Sequence, residues 1–176
     1  MIIEYLKDSE VDAALDQELR TLLSSCFRGP HNARFEHQRF FDQMPQHRWL
    51  IRDADGHLIA HLAMHDKVLG STAGDLRVAG VAEVCVAQTH RGQGLVRRML
   101  VAAEIWASAQ EMSFAVLFGN HKIYESSGYV PVTNSIRRFK PDTGVWTLEP
   151  MPSFQVKPLG KVTWPEGDID LRGPIF

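Results

Sequence analysis

The sequence predicts a mixed α/β fold: a mixed, mostly antiparallel sheet flanked by helices, with hairpins ahead of a strand–helix–strand crossover. Three observations predict it. Asp55-Gly56 lies between two alternating apolar runs, a strong hairpin signal that pairs about Arg48–Arg52 with Leu58–Val68. The apolar run VAGVAEVCVA passes through a turn with two glycines into a helical stripe of Leu95, Met99, Ala102 or Ala103, and Trp106. A buried strand, FAVLF within Ser113–Phe118, follows that helix, as a crossover requires.

The other elements fall in order around these three. Ile2–Leu6 reads as a short strand. Ser9 to Cys26 reads as a helix, with Ser9 as a cap and Val11, Leu15, Leu19, Leu22 and Leu23 recurring at spacings of three and four. FRGPHN is a loop, and the aromatic-rich Ala33–Gln43 reads as a helix ending before Met44-Pro45. Leu58, Ala60, Leu62 and Met64 fall on one strand face and His57, His61 and His65 on the other. On a strand His57 and His65 stand roughly 26 Å apart, too far for one ion, so no metal is expected. Leu76–Ala87 is the next strand. A short helix over about Asn120–Ser127 ends at Gly128, and Tyr129–Val132 opens another strand. The remainder, rich in Pro and Gly, holds the strand-like pieces VWTL, FQVK and DIDL.

Composition narrows the function classes. The chain of 176 residues can bury one full core, and a single domain is the default. A net charge of −2 argues against a nucleic-acid partner, and Arg97-Arg98 and Arg137–Lys140 read as solvated basic spots. Cys26 and Cys85 are too few for a metal tetrad, and Cys85, inside an apolar run, reads as a buried reduced thiol. The start lacks a signal-peptide build, and no apolar stretch approaches the ~18 residues of a membrane span. A cytoplasmic protein without a membrane partner is expected.

The turn HRGQG carries the chemistry. A helix N-terminus offers about four free N–H groups and the positive end of the helix dipole. Gly92 and Gly94 allow close approach of an anion, and Arg91 adds a cation. GxxxxGK[ST] is absent, and Arg97 stands where a dinucleotide-binding fingerprint needs its third glycine.

VAEVCVAQTHRGQGLVRRML resembles the cofactor motif of the GCN5-related N-acetyltransferases, an apolar strand, then [RQ]-x-x-G-x-[GA], then a helix. Arg91, Gly92, Gln93, Gly94 and Leu95 match; Val96 departs, standing where Gly or Ala is usual. FAVLFGNHKIYESSGYVPV is similar to the next block of that family, with Asn120, Tyr124, Gly128 and Tyr129 in matching places and a shortened Asn-to-Tyr interval. The resemblance covers about residues 51–132. It implies a core over 1–140 and an extension, 141–176, that packs on it and completes the acceptor site.

By that resemblance acetyl-CoA lies between two splayed parallel strands, the fourth and fifth, Leu76–Ala87 and Ser113–Phe118. Amides of Arg91–Val96 hold its pyrophosphate, Asn120 contributes to the cofactor site, and main-chain groups of Val84, Cys85 and Val86 pair with the pantetheine. The implied reaction is direct acetyl or acyl transfer to a primary amine of a small molecule. Tyr124 is the candidate acid, with a packing tyrosine as the alternative. Glu83 is the candidate base, because an unpaired buried acid is costly; the alternative is a structural ion pair. KVTWPEGDIDLRGPIF is similar to the end of nodulation acyltransferases and of aminoglycoside 2′-N-acetyltransferases. That ending points to an amino-sugar or aminoglycoside acceptor held by Asp168, Asp170 or the Phe176 carboxylate, with a surface strand as the alternative. A homodimer is the assembly to test. A non-catalytic acyl-CoA-binding sensor is the competing function.

Overall fold

The computed structural model describes the backbone of residues 1–176 and every side chain except that of His31. It divides into two compact units, residues 1–65 with 82–103, and residues 66–81 with 104–176. The long strands β3 (Leu58–Ser71) and β4 (Gly74–Val86) and the helix α2 (Leu95–Ala109) contribute residues to each.

The first unit begins with β1 (Ile3–Lys7), which pairs antiparallel with β2 (His47–Arg52), and β2 with β3. The hairpin forms where expected. Its loop is built by the Asp53 carboxylate, which accepts from the amides of Asp55 (3.0 Å) and His57 (2.8 Å), with Gly56 at φ +85°. Ile59 through His65 are all buried, so of the three histidines expected on one face His61 and His65 are covered, while His57 lies in the exposed hairpin loop before β3. A strand covered on both faces can carry a polar residue only where its hydrogen bonds are met inside.

Helix α1 (Ala13–Cys26) starts later than Ser9. Asp12 takes the cap, its carboxylate accepting from Leu15 N at 2.8 Å, while Asp8–Glu10 forms a separate 3-10 turn. Leu19, Leu22 and Leu23 form its buried stripe. The helix expected over 33–43 is also corrected: a 3-10 run covers Pro30–Glu36, and irregular chain follows. Side chains take the carbonyls there instead of amides one helical turn on. Gln38 Nε2 donates to Phe40 O (2.9 Å) and Phe41 O (2.8 Å), and Arg34 Nη1 donates to Phe41 O (3.1 Å).

That irregular segment delivers Arg39 to a buried charge network. Asp8 receives Arg39 Nη2 at 2.6 Å and Arg48 Nε at 2.6 Å. Arg48 is fully buried; its Nη2 donates to Arg39 O (3.1 Å) and its Nη1 meets His61 Nε2 (2.8 Å). The two guanidinium groups hold the Asp8 carboxyl below its usual range despite burial.

In the second unit the strand order is β6–β9–β5–β4–β3–β10–β7–β8, with β5 (Phe114–Phe118), β6 (Val130–Pro131), β7 (Ser135–Lys140), β8 (Val145–Pro150), β9 (Phe154–Pro158) and β10 (Ile169–Asp170). β4 and β5 run parallel, Val78 opposite Phe114 through Val81 opposite Leu117, so α2 is the crossover predicted. β9 pairs antiparallel with β5 over Phe114–Phe118, and β10 joins β3 to β7. The basic stretch Arg137–Lys140 lies within β7, and its charges are matched. Arg137 binds Asp170 (2.7 Å), while Arg138 (3.1 Å) and Lys140 (3.2 Å) share Glu149 on β8. Among the described residues no helix is long and apolar enough to cross a membrane.

Two outcomes follow. Arg48→Met leaves the buried Asp8 with one of its two cations and strips His61 Nε2 and the Arg39 carbonyl of their donor, and should cost about 3–5 kcal/mol in urea unfolding. Gly80 has no room for a methyl group: a Cβ would stand 2.8 Å from Phe176 Cε2. Gly80→Ala should therefore destabilise by about 1–3 kcal/mol, and most of that loss should vanish in a Phe176→Ala background. Additive effects in the double mutant would show that the ring is not what the glycine accommodates.

Candidate active site

β4 leads into the glycine turn, and its course changes at Glu83. Glu83 has φ +52° inside the strand, a left-handed backbone rarely adopted by a non-glycine residue. Two of its oxygens are hydrogen-bonded and the third is not. The Glu83 carbonyl accepts from His61 Nδ1 at 3.0 Å, and its Oε1 accepts from the Phe41 amide at 2.7 Å. Oε2 is 3.7 Å from Arg48 Nη1, beyond hydrogen-bond range, and has no hydrogen-bond partner among the described residues. The side chain is only 3 % exposed. Burial therefore outweighs Arg48 and the Phe41 amide, and pushes the Glu83 carboxyl up to about 7.

His61 takes part as a neutral group. A guanidinium can only donate, so Nε2 accepts from Arg48 and Nδ1 carries the hydrogen given to Glu83 O. Burial and the Arg48 charge push the imidazole well below its ordinary range. Arg48 and His61 were not singled out by sequence, although the hairpin register carries the signal. Arg48 pairs with Ala63 and Leu50 with His61, which puts both polar residues on one strand face.

Beyond Val86 a 3-10 turn covers Gln88–His90, and Gly92 (φ +75°) and Gly94 (φ +71°) turn the chain into α2. Nothing lies within 4 Å of a Cβ built at either glycine, so conformation, not crowding, requires them. Arg91, Gly92, Gln93 and Gly94 are exposed, and the Arg98 amide closes the first turn onto Gly94 O at 3.1 Å. The amides of Leu95, Val96 and Arg97 thus precede the hydrogen-bonded ladder. Val96 is half-buried in that first turn and Leu95 buried. Arg91 is anchored by its Nε to Val86 O at 3.2 Å. The first unit thereby brings together Glu83, Val84, Cys85, Val86 and the whole of Arg91–Val96.

The remaining candidates belong to the second unit. Tyr124 ends α3 (His121–Tyr124), is buried, and packs edge-on against Tyr129 at 6.0 Å. Gly119 makes room for it: a Cβ there would lie 2.6 Å from Tyr124 Cε2. Asn120 caps α3, its Oδ1 accepting from Lys122 N at 3.1 Å. The Phe176 ring is buried over Gly80, edge-on to Phe118 at 5.3 Å, with Lys67 Nζ 5.1 Å from its centroid. Burial pulls Lys67, a residue that sequence reading passed over, down to about 8.

Asp168 lines a cavity of about 550 Å³ with Pro131–Ser135 and Trp164–Gly167. Asn134 fastens that wall, accepting from Trp164 Nε1 (2.8 Å) and donating to Gly167 O (2.5 Å). Asp170 is bound by Arg137 and accepts from the Arg172 amide at 2.8 Å. Phe176 lines neither this cavity nor the smaller one that Asp168 and Asp170 share with Gly70–Thr72.

Solved structures of similar fold include a GNAT family N-acetyltransferase (YhbS) from Escherichia coli in complex with CoA. It is 20 % identical, covered over 97 % of this chain and 88 % of that one, at TM-score 0.68. A GNAT family acetyltransferase from Brucella melitensis in complex with acetyl-CoA is 17 % identical over 96 % of this chain and 94 % of that one, at TM-score 0.60. ElaA of Escherichia coli is 18 % identical over 89 % and 98 %, at TM-score 0.60. No curated protein sequence matches the chain. The family model described as acetyltransferase (GNAT) domain matches residues 3–132, well over half the chain, and the protein belongs to that acetyltransferase family.

Proposed function

We propose that the protein is an acyl-CoA-dependent N-acetyltransferase, moving an acetyl group from acetyl-CoA directly onto a primary amine of a small molecule. Glu83 carries the reading: a carboxyl held at about 7 on a left-handed turn of the strand that enters the glycine turn. An amine attacks only when neutral, and a base with a pKa near the working pH suits its deprotonation.

The glycine turn fits a pyrophosphate. Its amides are exposed, they precede the α2 ladder, and no side chain fills the space at Gly92 or Gly94. Bound there, acetyl-CoA supplies the activated acetyl thioester. Amides of Arg91–Val96 hold the phosphates, and main-chain groups of Val84–Val86 align the pantetheine as an added strand. Glu83 Oε2 accepts the amine proton. Because that oxygen is buried, the proton reaches it through a water. Tyr124, by resemblance of the 114–129 block, returns a proton to the departing thiolate; its fixed ring and buried setting support the role.

For the acceptor we retain an amino sugar or aminoglycoside, with residues 141–176 completing its site. Support comes from Asp168 and Glu166 beside Trp164 in one cavity, a setting suited to a cationic ring. Asp170, already paired with Arg137, contributes charge only if that ion pair opens. The end of the chain similar to nodulation and aminoglycoside acyltransferases, Phe176 included, supports the same class.

Calorimetric titration with acetyl-CoA and thiol release over a panel of amines test the reading; binding without turnover on any amine would make the protein a sensor. kcat/KM should rise with pH to a midpoint at about 7. Glu83→Gln should remove that limb and lower kcat by about 10²–10⁴. An unchanged pH profile in Glu83→Gln would return Glu83 to a structural role. Tyr124→Phe should reduce kcat while sparing acetyl-CoA affinity.

Stability gives a check independent of turnover. The carboxyl binds its proton more tightly folded, at about 7, than at its ordinary 4.5. Its contribution is full below 4.5 and is lost as pH rises through about 7. Urea midpoints of wild type should fall across that window relative to Glu83→Gln.

A further inference from the structure

Cys26 and Cys85 are the two cysteines of the chain, and they are distant in sequence. One ends α1 and the other lies in β4, yet Cys26 packs against the buried cluster of Leu22, Leu23, Phe35 and Cys85. Cys26 Sγ donates to Val86 O at 3.4 Å, the carbonyl next to Cys85 in sequence. Cys26 is half-buried and Cys85 buried. Ser25 Oγ lies 3.7 Å from Cys26 Sγ, and Arg91 donates its Nε to the Val86 carbonyl that Cys26 also binds.

We propose that Cys26 and Cys85 form a thiol–disulfide exchange pair that takes low-molecular-weight disulfides, Cys26 attacking and Cys85 resolving. As a thiolate Cys26 accepts from the Cys85 thiol and from Ser25 and faces the Arg91 cation, which together bring it down to about 6. Cys85 is held well above its ordinary value, by the hydrogen bond to Cys26 and by burial, so it keeps its proton while Cys26 is charged. Arg91 is the cation facing the pair, and Glu83 acts on Cys85 as a carboxylate.

The chemistry balances in two exchanges. The Cys26 thiolate attacks one sulfur of the small disulfide. That S–S bond breaks, a mixed disulfide forms on Cys26, and one small thiolate leaves. Cys26 is now neutral, which removes its charge from the neighbourhood of Cys85. Cys85 gives its proton to the departing thiolate and attacks Cys26 Sγ. The Cys26–Cys85 bond forms, and the second small thiolate leaves and takes a proton from water. Two protein thiols are oxidised and one disulfide is reduced to two thiols.

Val86 O links the pair to the glycine turn, since it accepts from Cys26 Sγ and from Arg91 Nε. Oxidation removes the first of these donors. Any resulting change in acetyl-CoA affinity rests on the function proposed above; the exchange itself does not.

The test uses the reduced full chain with oxidised glutathione at neutral pH, quenched with N-ethylmaleimide and read by intact mass and peptide mapping. Wild type should lose both free thiols to one internal disulfide. Cys85→Ala should stop at a glutathione adduct on Cys26, and Cys26→Ser should leave Cys85 unmodified. Alkylation of Cys26 by iodoacetamide should be half-maximal at about 6, against about 8.5 for an ordinary cysteine. Circular dichroism checks that each variant is folded; should either fail, the wild-type mass decides. Two free thiols in wild type at equilibrium with oxidised glutathione, or adduct on Cys85 in folded Cys26→Ser, would overturn the proposal. With the disulfide formed, unchanged acetyl-CoA affinity would count against the link through Val86 alone; no acetyl-CoA binding in reduced protein would count against the proposed function alone.

Discussion

The buried guanidinium of Arg48 is the constraint on which the first unit depends. A fully buried cation must be matched on every side, and each of its partners fixes a different piece of chain. Asp8 ties the end of β1, the Arg39 carbonyl ties the irregular segment after the 3-10 run, and His61 ties β3. The Coulomb attraction of Glu83 does not overcome that residue's desolvation, because Arg48 is already neutralised at closer range by Asp8. The same cation thus stabilises the unit and leaves a carboxyl free to titrate near neutrality. A closer Arg48–Glu83 pair would hold that carboxyl lower.

Close approach is the second recurring constraint. Gly80 and Gly119 lie under aromatic rings, those of Phe176 and Tyr124, at distances that no side chain would permit. Gly92 and Gly94 answer a different need. They stand in open space and supply the left-handed backbone that turns β4 into α2. The two kinds of glycine look alike in sequence, and only the packing tells them apart.

Legibility followed locality. The hairpin at Asp55-Gly56, the β4–α2–β5 crossover and the glycine turn are written in consecutive residues, and each was found. α1 starts beyond the expected Ser9 cap because Asp12 caps it, while Asp8–Glu10 forms a separate turn whose Asp8 is committed to Arg39 and Arg48. The helix expected over 33–43 failed because Arg34, Gln38 and Glu83 take up backbone groups that a helix would have paired internally. β7 is hidden in the sequence because its run of basic residues masks an alternating strand whose charges are matched on β8 and β10. Of the site, Glu83 was visible as an acid in an apolar strand. Arg48 and His61, which shape its environment, needed the hairpin register to be read across strands.

Asn120 shows why a motif position is weaker evidence than a geometry. Its side chain is occupied in capping α3, and a helix of four residues has few other ways to fix its start. That cap sets where Tyr124 falls, one turn later, against Gly119 and Tyr129. A residue matched to a cofactor motif therefore serves the tyrosine first, through backbone direction.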